Sequence, residues 1–296
     1  MIAIVVVTYN RRDMLIDLIA TLRAQTYTDR RIVVVNNAST DGTTEWLASQ
    51  TDLTVINQAN VGGAGGFFTG MKYAAENSFD YCWVMDDDVL CPPDALQRLV
   101  DAFAVCPDAG FVCSRVVDPN GQAQNVATPD MRPCPDNKDA DTYDLVAEHA
   151  MVKVRECSFV SVLIPTAKIR QVGLPLREFF IWGDDTEYTL RLSASAPSYM
   201  ACRSVVTHRR VSKGMLNFEN EKDPARLKNY FYLFRNHYVY LRLYYGGGDN
   251  LLARLYDIKD MARYALKLDF THLRIRWRGF WAGQWFRPKV EFPEAK

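Results

Sequence analysis

The sequence has 296 residues, 48% of them hydrophobic, which suits one large domain or one domain with a smaller appendage. Its 35 basic residues balance 35 acidic ones, so no global charge directs it to nucleic acid, and we expect no nucleic-acid partner. Seven scattered cysteines include no C-x-x-C pair, which argues against a zinc or redox site and indicates buried thiols in a reducing cytoplasm.

The first ninety residues alternate β-branched runs with stretches of helical spacing, a pattern typical of βαβ units. The predicted strands are Ile2–Thr8, Arg31–Val35, Leu53–Ile56 and Tyr81–Met85, and the predicted helices are Met14–Gln25, Thr43–Ser49 and Gly66–Asn77. The first run is short and lacks a basic leader, so we interpret it as a buried strand and not as a signal peptide. We predict an α/β fold with a mostly parallel sheet covered by helices on both faces.

After a further predicted helix at Asp94–Val105, the chain becomes polar and contains several prolines, which predicts long surface loops. Regular structure resumes at Cys157–Pro165 and leads to a strand at Ser204–Thr207. We expect this first domain to end near residue 213.

The remaining residues, 214–296, are predicted to form a helical C-terminal region. Helices are expected at Pro224–Leu243 and Leu251–Leu268, on either side of a glycine triplet at residues 246–248. No apolar run reaches the roughly twenty residues that a membrane-spanning helix needs.

Three consecutive carboxylates, Asp86, Asp87 and Asp88, follow the fourth predicted strand, at the sheet edge where ligands of parallel sheets collect. On an extended segment Asp86 and Asp88 would face one ion while Asp87 turns toward a neighbour. Such oxygen ligands suit Mg²⁺ or Mn²⁺ shared with phosphates. The alternative is a solvated acidic turn, although repulsion at a buried edge is costly unless a cation offsets it.

A glycine-rich turn, Asn60-Val61-Gly62-Gly63-Ala64-Gly65-Gly66-Phe67, enters the third helix, where backbone amides could approach a diphosphate or a sugar. The turn lacks the Lys-Ser or Lys-Thr of a P-loop and does not follow the first strand, as a dinucleotide-binding fingerprint would. A Rossmann dehydrogenase is therefore disfavoured.

A second acidic cluster, Trp182-Gly183-Asp184-Asp185-Thr186-Glu187, precedes a helical stretch. One interpretation is a capping cluster, because a helix N-terminus favours acidic side chains. The other is a general base beside a sugar-stacking tryptophan, because a partly desolvated carboxylate near other carboxylates has a raised pKa.

Among the four histidines, His208 alone follows an apolar strand and precedes two arginines. Its imidazole could complete a metal shell while Arg209 or Arg210 contacts phosphate, although a lone histidine is often structural. The other three histidines are interpreted as structural.

Together these motifs resemble the family 2 glycosyltransferases of the GT-A fold. The matching segments are Val6-Val7-Thr8-Tyr9-Asn10-Arg11, Asn36-Asn37-Ala38-Ser39-Thr40-Asp41-Gly42-Thr43 and Asp86-Asp87-Asp88. The glycine-rich turn, the second acidic cluster and Arg235-Asn236-His237-Tyr238 look most like galactofuranosyltransferases and related rhamnosyltransferases. The resemblance implies a Rossmann-like GT-A domain at 1–213 that binds a nucleotide sugar and catalyses transfer.

Carried over residue by residue, the resemblance implies that Asp86, Asp88 and His208 hold Mn²⁺ or Mg²⁺. It makes Asp185 the general base, with Asp184 beside it. The implied acceptor-binding residues are Trp182 and Glu187. The implied donor-binding residues are Thr8, Arg11, Asn37, Asn60, Gly62, Gly63 and Asp87. Among these, Arg11 and Asn60 would contact uridine, whereas Thr8 and Asn37 would line the nucleotide pocket. Asn36-Asn37 departs from the acidic pair that many family members carry there.

The reaction implied by the resemblance is a single displacement that inverts the anomeric carbon. It would move galactofuranose from UDP-galactofuranose onto a hydroxyl of a growing cell-surface polysaccharide or lipid-linked oligosaccharide. The alternatives are a rhamnosyltransferase that uses dTDP-rhamnose, a nucleotidyltransferase, whose basic glycine-rich signature is missing, and a nucleotide-sugar- or glycan-binding protein without turnover.

The C-terminal segment from Leu273 to Lys289 interleaves basic and aromatic residues, as do segments that lie at a membrane interface. We expect a cytoplasmic protein that contacts the inner face of a bacterial membrane through residues 273–296. A packing arm or a subunit contact in a homo-oligomer is the alternative.

Overall fold

The computed structural model describes residues 1–132, 139–209 and 217–294. Within these ranges one sheet runs through the molecule and helices flank it. The strands are β1 (Ile2–Thr8), β2 (Arg30–Asn36), β3 (Thr54–Asn57), β4 (Tyr81–Asp86), β5 (Val89–Leu90), β6 (Val112–Val117), β7 (Ala127–Pro129), β8 (Met151–Cys157), β9 (Val162–Pro165) and β10 (Ser198–His208). The α-helices are α1 (Arg12–Arg23), α2 (Thr43–Ala48), α3 (Gly62–Glu76), α4 (Ala95–Val105), α5 (Asp139–Ala147), α6 (Thr166–Val172), α7 (Asp184–Ser195), α8 (Pro224–Tyr244), α9 (Gly247–Leu266) and α10 (Phe270–Trp285).

The first ninety residues form the predicted βαβ units. Their long strands lie in the order β3-β2-β1-β4 and are all parallel. All seven residues of β1 are buried, and alternate side chains enter different cores: Ile4 packs in one and Val5 in the other. This two-sided burial follows from the period of two along a strand and explains why the sequence of β1 is continuously apolar. The predicted α/β fold is confirmed.

The region after α4 differs from its prediction of long surface loops. Strand β6 lies inside the sheet between β9 and β10, and β8 and β7 extend the sheet beyond β10. Because β9 pairs antiparallel with both β4 and β6, the sheet as a whole is mixed; its strands pair parallel from β3 to β4 and again between β6 and β10. Strand β6 lacks the continuous apolar pattern of a buried strand because it contains Ser114 and Arg115. Inside the sheet, the Ser114 hydroxyl forms hydrogen bonds with the hydroxyls of Ser161 (2.7 Å) and Ser204 (2.8 Å). Pro133 and Pro135 lie outside the described residues.

The C-terminal region is helical, as predicted, and its helices α8, α9 and α10 pack on one another. The glycine triplet lies at the start of α9, with Gly246 as the N-cap residue, and only Tyr245 separates it from the end of α8. The Asp249 carboxylate accepts a hydrogen bond from the Gly246 amide (3.2 Å). The predicted domain boundary near residue 213 lies between the described ranges, so it stays a prediction. None of the described helices is both long and apolar enough to cross a bilayer.

Candidate active site

The acidic run lies at the junction of β4 and β5. Asp86 is the last residue of β4, and Asp87 and Asp88 form the turn into β5. The expectation of an extended segment is therefore wrong for the last two aspartates. The turn instead brings β5 back against β10, where Val89 pairs with His208 and the Arg209 amide donates to the Asp88 carbonyl (2.9 Å). A residue 120 positions later in the sequence is thereby placed beside the acidic run.

Asp86, Asp88 and His208 form one cluster, in which a ligand atom from each lies within 4.8 Å of the other two. Asp87 instead accepts hydrogen bonds from the Thr8 hydroxyl (2.7 Å) and the Arg11 guanidinium (3.1 Å). Asp86 and Asp88 thus belong to the potential ligand cluster, whereas Asp87 points toward Thr8 and Arg11, as predicted. The turn after β4, and not the alternation of side chains along a strand, produces this arrangement.

Gln124 fixes the orientation of the His208 ring. Its side-chain nitrogen donates to the His208 carbonyl (3.0 Å), so its oxygen must be the atom that faces His208 Nδ1, also at 3.0 Å. Nδ1 therefore carries a hydrogen, and Nε2 is the ring atom that faces the acidic run, with a lone pair when the ring is neutral and with a hydrogen when it is protonated. Gln124 lies in the polar, proline-containing region, whose sequence contains no recognised motif. Its contact with His208 is the observation that places it at the site.

The geometry at Asp88 fits a bound cation. His208 Nε2 lies 3.1 Å from Asp88 Oδ1, and that oxygen makes no well-formed hydrogen bond within the described residues. A nitrogen lone pair and a carboxylate oxygen repel each other at this distance unless a proton or a cation stands between them. Two carboxylates and an imidazole form a suitable donor set for Mn²⁺ or Mg²⁺.

The three carboxylates differ in their protonation behaviour. Burial, followed by the charges of Asp88 and Asp87, raises the pKa of Asp86 well above its usual value. Burial also raises the pKa of Asp87, to about 6, against the opposing charge of Arg11. Burial acts the same way on Asp88, but His208 and Arg11 together outweigh it and lower the pKa of that group. Asp88 is thus the member held most firmly as a carboxylate.

Of the two alternative phosphate contacts predicted after β10, the one at Arg209 is not supported. The Arg209 guanidinium donates to Asp17 (2.7 Å) and to the Met14 carbonyl (3.5 Å) on α1. Arg210 lies outside the described residues. Arg11 is the basic side chain beside the cluster; it also donates to Asp88 (2.8 Å) and is 41% exposed.

The predicted glycine-rich turn is already helical from Gly62, where α3 begins, and its glycines let this helix pack close to its neighbours. Gly62 has a φ of +78°, and a Cβ there would lie 2.0 Å from the Phe180 carbonyl oxygen. At Gly66 a Cβ would lie 2.4 Å from Val7. A Cβ at Gly63 would meet nothing within 4 Å, so this residue faces open space. Of the turn's glycines, Gly63 is the one best placed for a ligand to approach.

Asn37 and Asn60 both contact Gly62 at the start of α3. Asn37 is buried; its amide nitrogen donates to the Gly62 carbonyl (3.1 Å) and its oxygen accepts from Gln58 (2.7 Å). The exposed Asn60 accepts from the Gly62 amide (3.0 Å). The Asn37 side chain is thus engaged by the fold, whereas Asn60 remains accessible to solvent and to a donor.

The second acidic cluster begins α7. Gly183 is the N-cap residue, and all three carboxylates lie in the first turn without forming a side-chain cap. Burial, then the charge of Asp185, raises the pKa of Asp184 to about 8, and burial raises the pKa of Asp185. The charge of Asp185 in turn helps to raise the pKa of Asp86, so the two carboxyl groups lie close enough for their charges to interact. This proximity is a property of the tertiary structure.

Glu187 and Trp182 contact other parts of the protein. Glu187 is buried, forms an ion pair with Arg191 and accepts from the Tyr244 hydroxyl (2.8 Å). This engagement gives Glu187 a structural role, and the expected acceptor contact is not supported. Trp182 is half-buried against Tyr230 of α8, with ring centroids 4.9 Å apart. Its remaining exposed surface keeps it available to an acceptor.

Comparison with known proteins adds a family and a fold. A model of the family described as glycosyl transferase family 2 matches residues 3–160. Galactofuranosyltransferase GlfT1 of Mycobacterium tuberculosis is 28% identical over 209 residues, which cover 67% of this chain and 66% of the relative. Poly-beta-1,6-N-acetyl-D-glucosamine synthase of Staphylococcus aureus is 29% identical over 108 residues, or 35% of this chain and 26% of that protein. The chain thus spans just under two thirds of the length of the GlfT1 relative and much less of the synthase.

Two solved structures share the fold. GalNAc-T7, crystallised with UDP, GalNAc and Mn²⁺, superposes with a TM-score of 0.57 at 14% identity and covers 79% of this chain and 48% of that one. S. aureus TarS 1–349 in complex with UDP superposes with a TM-score of 0.55 at 15% identity, covering 81% and 65%.

Proposed function

Because the chain belongs to glycosyl transferase family 2, we propose that it is a metal-dependent inverting glycosyltransferase that uses a UDP-sugar. The observation that carries the proposal is the cluster of Asp86, Asp88 and His208, with Asp185 close enough for its charge to act on Asp86. One cluster is suited to a cation and hence to a diphosphate; the other offers a carboxylate for proton transfer. This pairing of functions is what transfer from a nucleotide sugar requires.

In the proposed reaction, Asp185 accepts the proton of an acceptor hydroxyl as that oxygen bonds to the anomeric carbon. The bond from this carbon to the diphosphate oxygen breaks on the opposite side, so the configuration inverts. A cation held by Asp86, Asp88 and His208 would offset the charge on the departing diphosphate. The proposed donor contacts or supports are Thr8, Arg11, Asn60, Gly63 and Asp87. Asn37 and Gly62 act by shaping the start of α3.

The proposed donor is UDP-galactofuranose, and the proposed acceptor is a hydroxyl of a growing cell-surface glycan. Support comes from the similarity to GlfT1, which extends beyond the family match into the second acidic cluster's part of the chain. dTDP-rhamnose is the competing donor, because the motifs and the site geometry concern the diphosphate and the metal more than the sugar ring.

A donor screen tests this proposal. Thermal shifts and hydrolysis are measured with UDP-, dTDP- and GDP-sugars in the presence of Mn²⁺, since a specific ligand stabilises the folded state by mass action. We expect UDP-sugars to stabilise the protein only with the metal, and Asp88→Ala to abolish that stabilisation. Asp108→Ala, in an exposed turn, is the matched control. Mn²⁺-dependent stabilisation that persists in Asp88→Ala would show that the metal assignment is wrong.

We also propose that the C-terminal helices contact an anionic membrane. On α10, Trp277, Trp281 and Trp285 recur every fourth residue and are 52%, 46% and 78% exposed. Leu255 and Ile258 of α9 are exposed as well, and the two helices line an apolar groove of about 760 Å³. The basic residues Arg274 and Arg278 lie on α10 among these tryptophans. Apolar and basic side chains combined in this way suit the surface of an anionic bilayer.

The test of membrane contact should keep α10 in place. Deletion of residues 273–296 would also remove the buried Phe280, which packs on Tyr238 of α8 at 5.7 Å between ring centroids. Serine at all three exposed tryptophans is the better variant, and we expect it to reduce flotation with anionic liposomes. Met131→Ser, which replaces an 88% exposed residue elsewhere, is the control. Equal flotation of all proteins would contradict the proposal, and dissociation of an oligomer by the triple variant would identify a subunit contact instead.

A further inference from the structure

Residues 179–183, which lead into Asp184, have an unusual backbone conformation. Phe180, Trp182 and Gly183 have φ values of +66°, +63° and +88°. Positive φ values are unfavourable for non-glycine residues and persist only where surrounding contacts enforce them. The segment leads directly into Asp184 and Asp185, so whatever enforces its conformation also sets where these carboxylates lie.

Asn236 of α8 is the residue that contacts this backbone most extensively. Its side chain is fully buried, and its amide nitrogen lies within hydrogen-bond distance of three carbonyl oxygens of the segment. These belong to Phe179 (3.0 Å), Ile181 (3.2 Å) and Trp182 (2.8 Å). An aspartate of the same shape could not donate to any of them.

Arg235 fixes the orientation of the Asn236 amide. Its guanidinium donates to Asn236 Oδ1 through Nε (3.0 Å) and Nη2 (2.9 Å), which leaves the amide nitrogen directed at the segment. Nη2 also donates to the Glu178 carbonyl (2.6 Å), and the guanidinium lies 3.9 Å from the Phe286 ring centroid. The pair therefore has one defined hydrogen-bonding arrangement.

The opposite side of the segment rests on the glycine-rich turn. The Phe180 carbonyl accepts a hydrogen bond from the Ala64 amide (3.1 Å), and Gly62 lacks the Cβ that would collide with the same oxygen. The segment is thus held between the turn at the proposed donor site and a helix of the C-terminal region.

We propose that Asn236, oriented by Arg235, is a positioning residue that holds residues 179–183 and so places Asp185 opposite Asp86. This inference rests on the proposed function for its catalytic meaning. It gives the C-terminal region a part in the active site, through α8.

The test compares Asn236→Asp with Asn229→Asp, a partly exposed asparagine two turns earlier on the same helix. Loss of the donor should release the segment and misplace Asp185. We expect kcat of UDP-sugar transfer or hydrolysis to fall about 100-fold, the size that a displacement near 1 Å can cause. Affinity for Mn²⁺ and UDP should change little, because the cluster at Asp86 does not contact Asn236.

Hydrogen exchange provides a readout that needs no turnover. In Asn236→Asp, amides of residues 178–187 should exchange faster while those of residues 82–91 stay as in the parent; Asn229→Asp should change neither. Asn236→Ser serves the same comparison if the aspartate variant does not fold. Unchanged exchange at 178–187, or a kcat equal to that of the control, overturns the inference. A parent without activity on any donor would overturn the proposed function, and exchange would still decide whether Asn236 holds the segment.

Discussion

The acidic run at Asp86–Asp88 and the acidic cluster at Asp184–Glu187 carry three carboxylates each, but they accommodate that charge differently. In the first, Arg11 contacts two of the aspartates and His208 lies beside Asp88. In the second, Arg191 neutralises Glu187 alone, and the pKa of Asp184 rises to about 8 because of burial and its neighbour Asp185. The first cluster keeps at least one firm carboxylate for a cation, whereas the second favours proton uptake.

This difference indicates a division of chemical roles between the two clusters. A metal ligand must stay deprotonated, and a general base must exchange a proton near the working pH. The lowered pKa of Asp88 fits the first role, and the raised pKa values of Asp184 and Asp185 fit the second. The pKa of Asp86 is also raised, so this ligand would need a bound cation to stay deprotonated.

The largest expected effect distinguishes binding from proton transfer. Asp185→Asn removes the proposed base but keeps an oxygen that can accept from the Thr186 amide, as Asp185 does at 2.7 Å. We expect kcat to fall by about 10²–10⁴-fold, the usual contribution of a general base, with Mn²⁺-dependent UDP binding retained. Single-turnover transfer assays and calorimetry check the two parts. Near-normal turnover would mean that another group is the base.

Glu187→Ala tests whether the third carboxylate of the second cluster is structural. Removing it leaves Arg191 without its buried partner, and breaking such a pair costs roughly 3–5 kcal/mol of unfolding free energy. Denaturant titration measures the loss. Glu45→Ala changes an exposed glutamate in the first turn of α2 and should cost much less. Equal losses in both variants would point to the helix dipole and away from the ion pair.

Gln124→Ala tests the orientation of His208 in the first cluster. Without the Gln124 oxygen the ring loses the contact that fixes its tautomer, and we expect Mn²⁺ affinity to fall about 10–100-fold. Titration with Mn²⁺ alone, followed by paramagnetic resonance, gives the affinity. Gln122→Ala, at an exposed position in the same loop, is the control. A metal affinity that is unaffected would remove Gln124 from the site.

The smallest effect concerns pH and stability. The pKa of Asp184 in the folded state, about 8, is above its usual value, so the group's stabilising contribution is complete below pH 4 and is lost as pH rises through 8. Asp184→Asn mimics the protonated form and should exceed the parent in unfolding free energy by about 1 kcal/mol or more above pH 8. Near pH 4 the two should be similar. Denaturant titrations at both pH values check this, with Asp108→Asn as the control; a gain independent of pH would contradict the assigned cause.

Some features of the site follow from local sequence. The continuous apolar run of β1 and the polar residues after each of the first strands predicted the parallel pairing of these strands. The predicted resemblance to family 2 is confirmed by the match over residues 3–160. These predictions succeeded because strand periodicity and the residues at strand ends are local properties.

Other features depend on residues far apart in the sequence. The pairing of β5 with β10 brings His208 to Asp88. Gln124, which orients the histidine, lies in a region predicted to form surface loops. Asn236 contacts the segment before Asp184 from the C-terminal helices. Glu187 and Arg209 have the residue types expected of ligands, but nearby partners engage them.

The sequence by itself determined the class of fold, the family and the residue types available for metal binding and proton transfer, because these are written in local patterns of polarity and spacing. Only the tertiary structure decided which of those side chains remain available to a ligand. Availability depends on the partners that distant segments supply, as Arg191 does for Glu187 and Asp17 does for Arg209. Residue types alone do not encode those partners, since each pairing exists only once the sheet and the helices have packed.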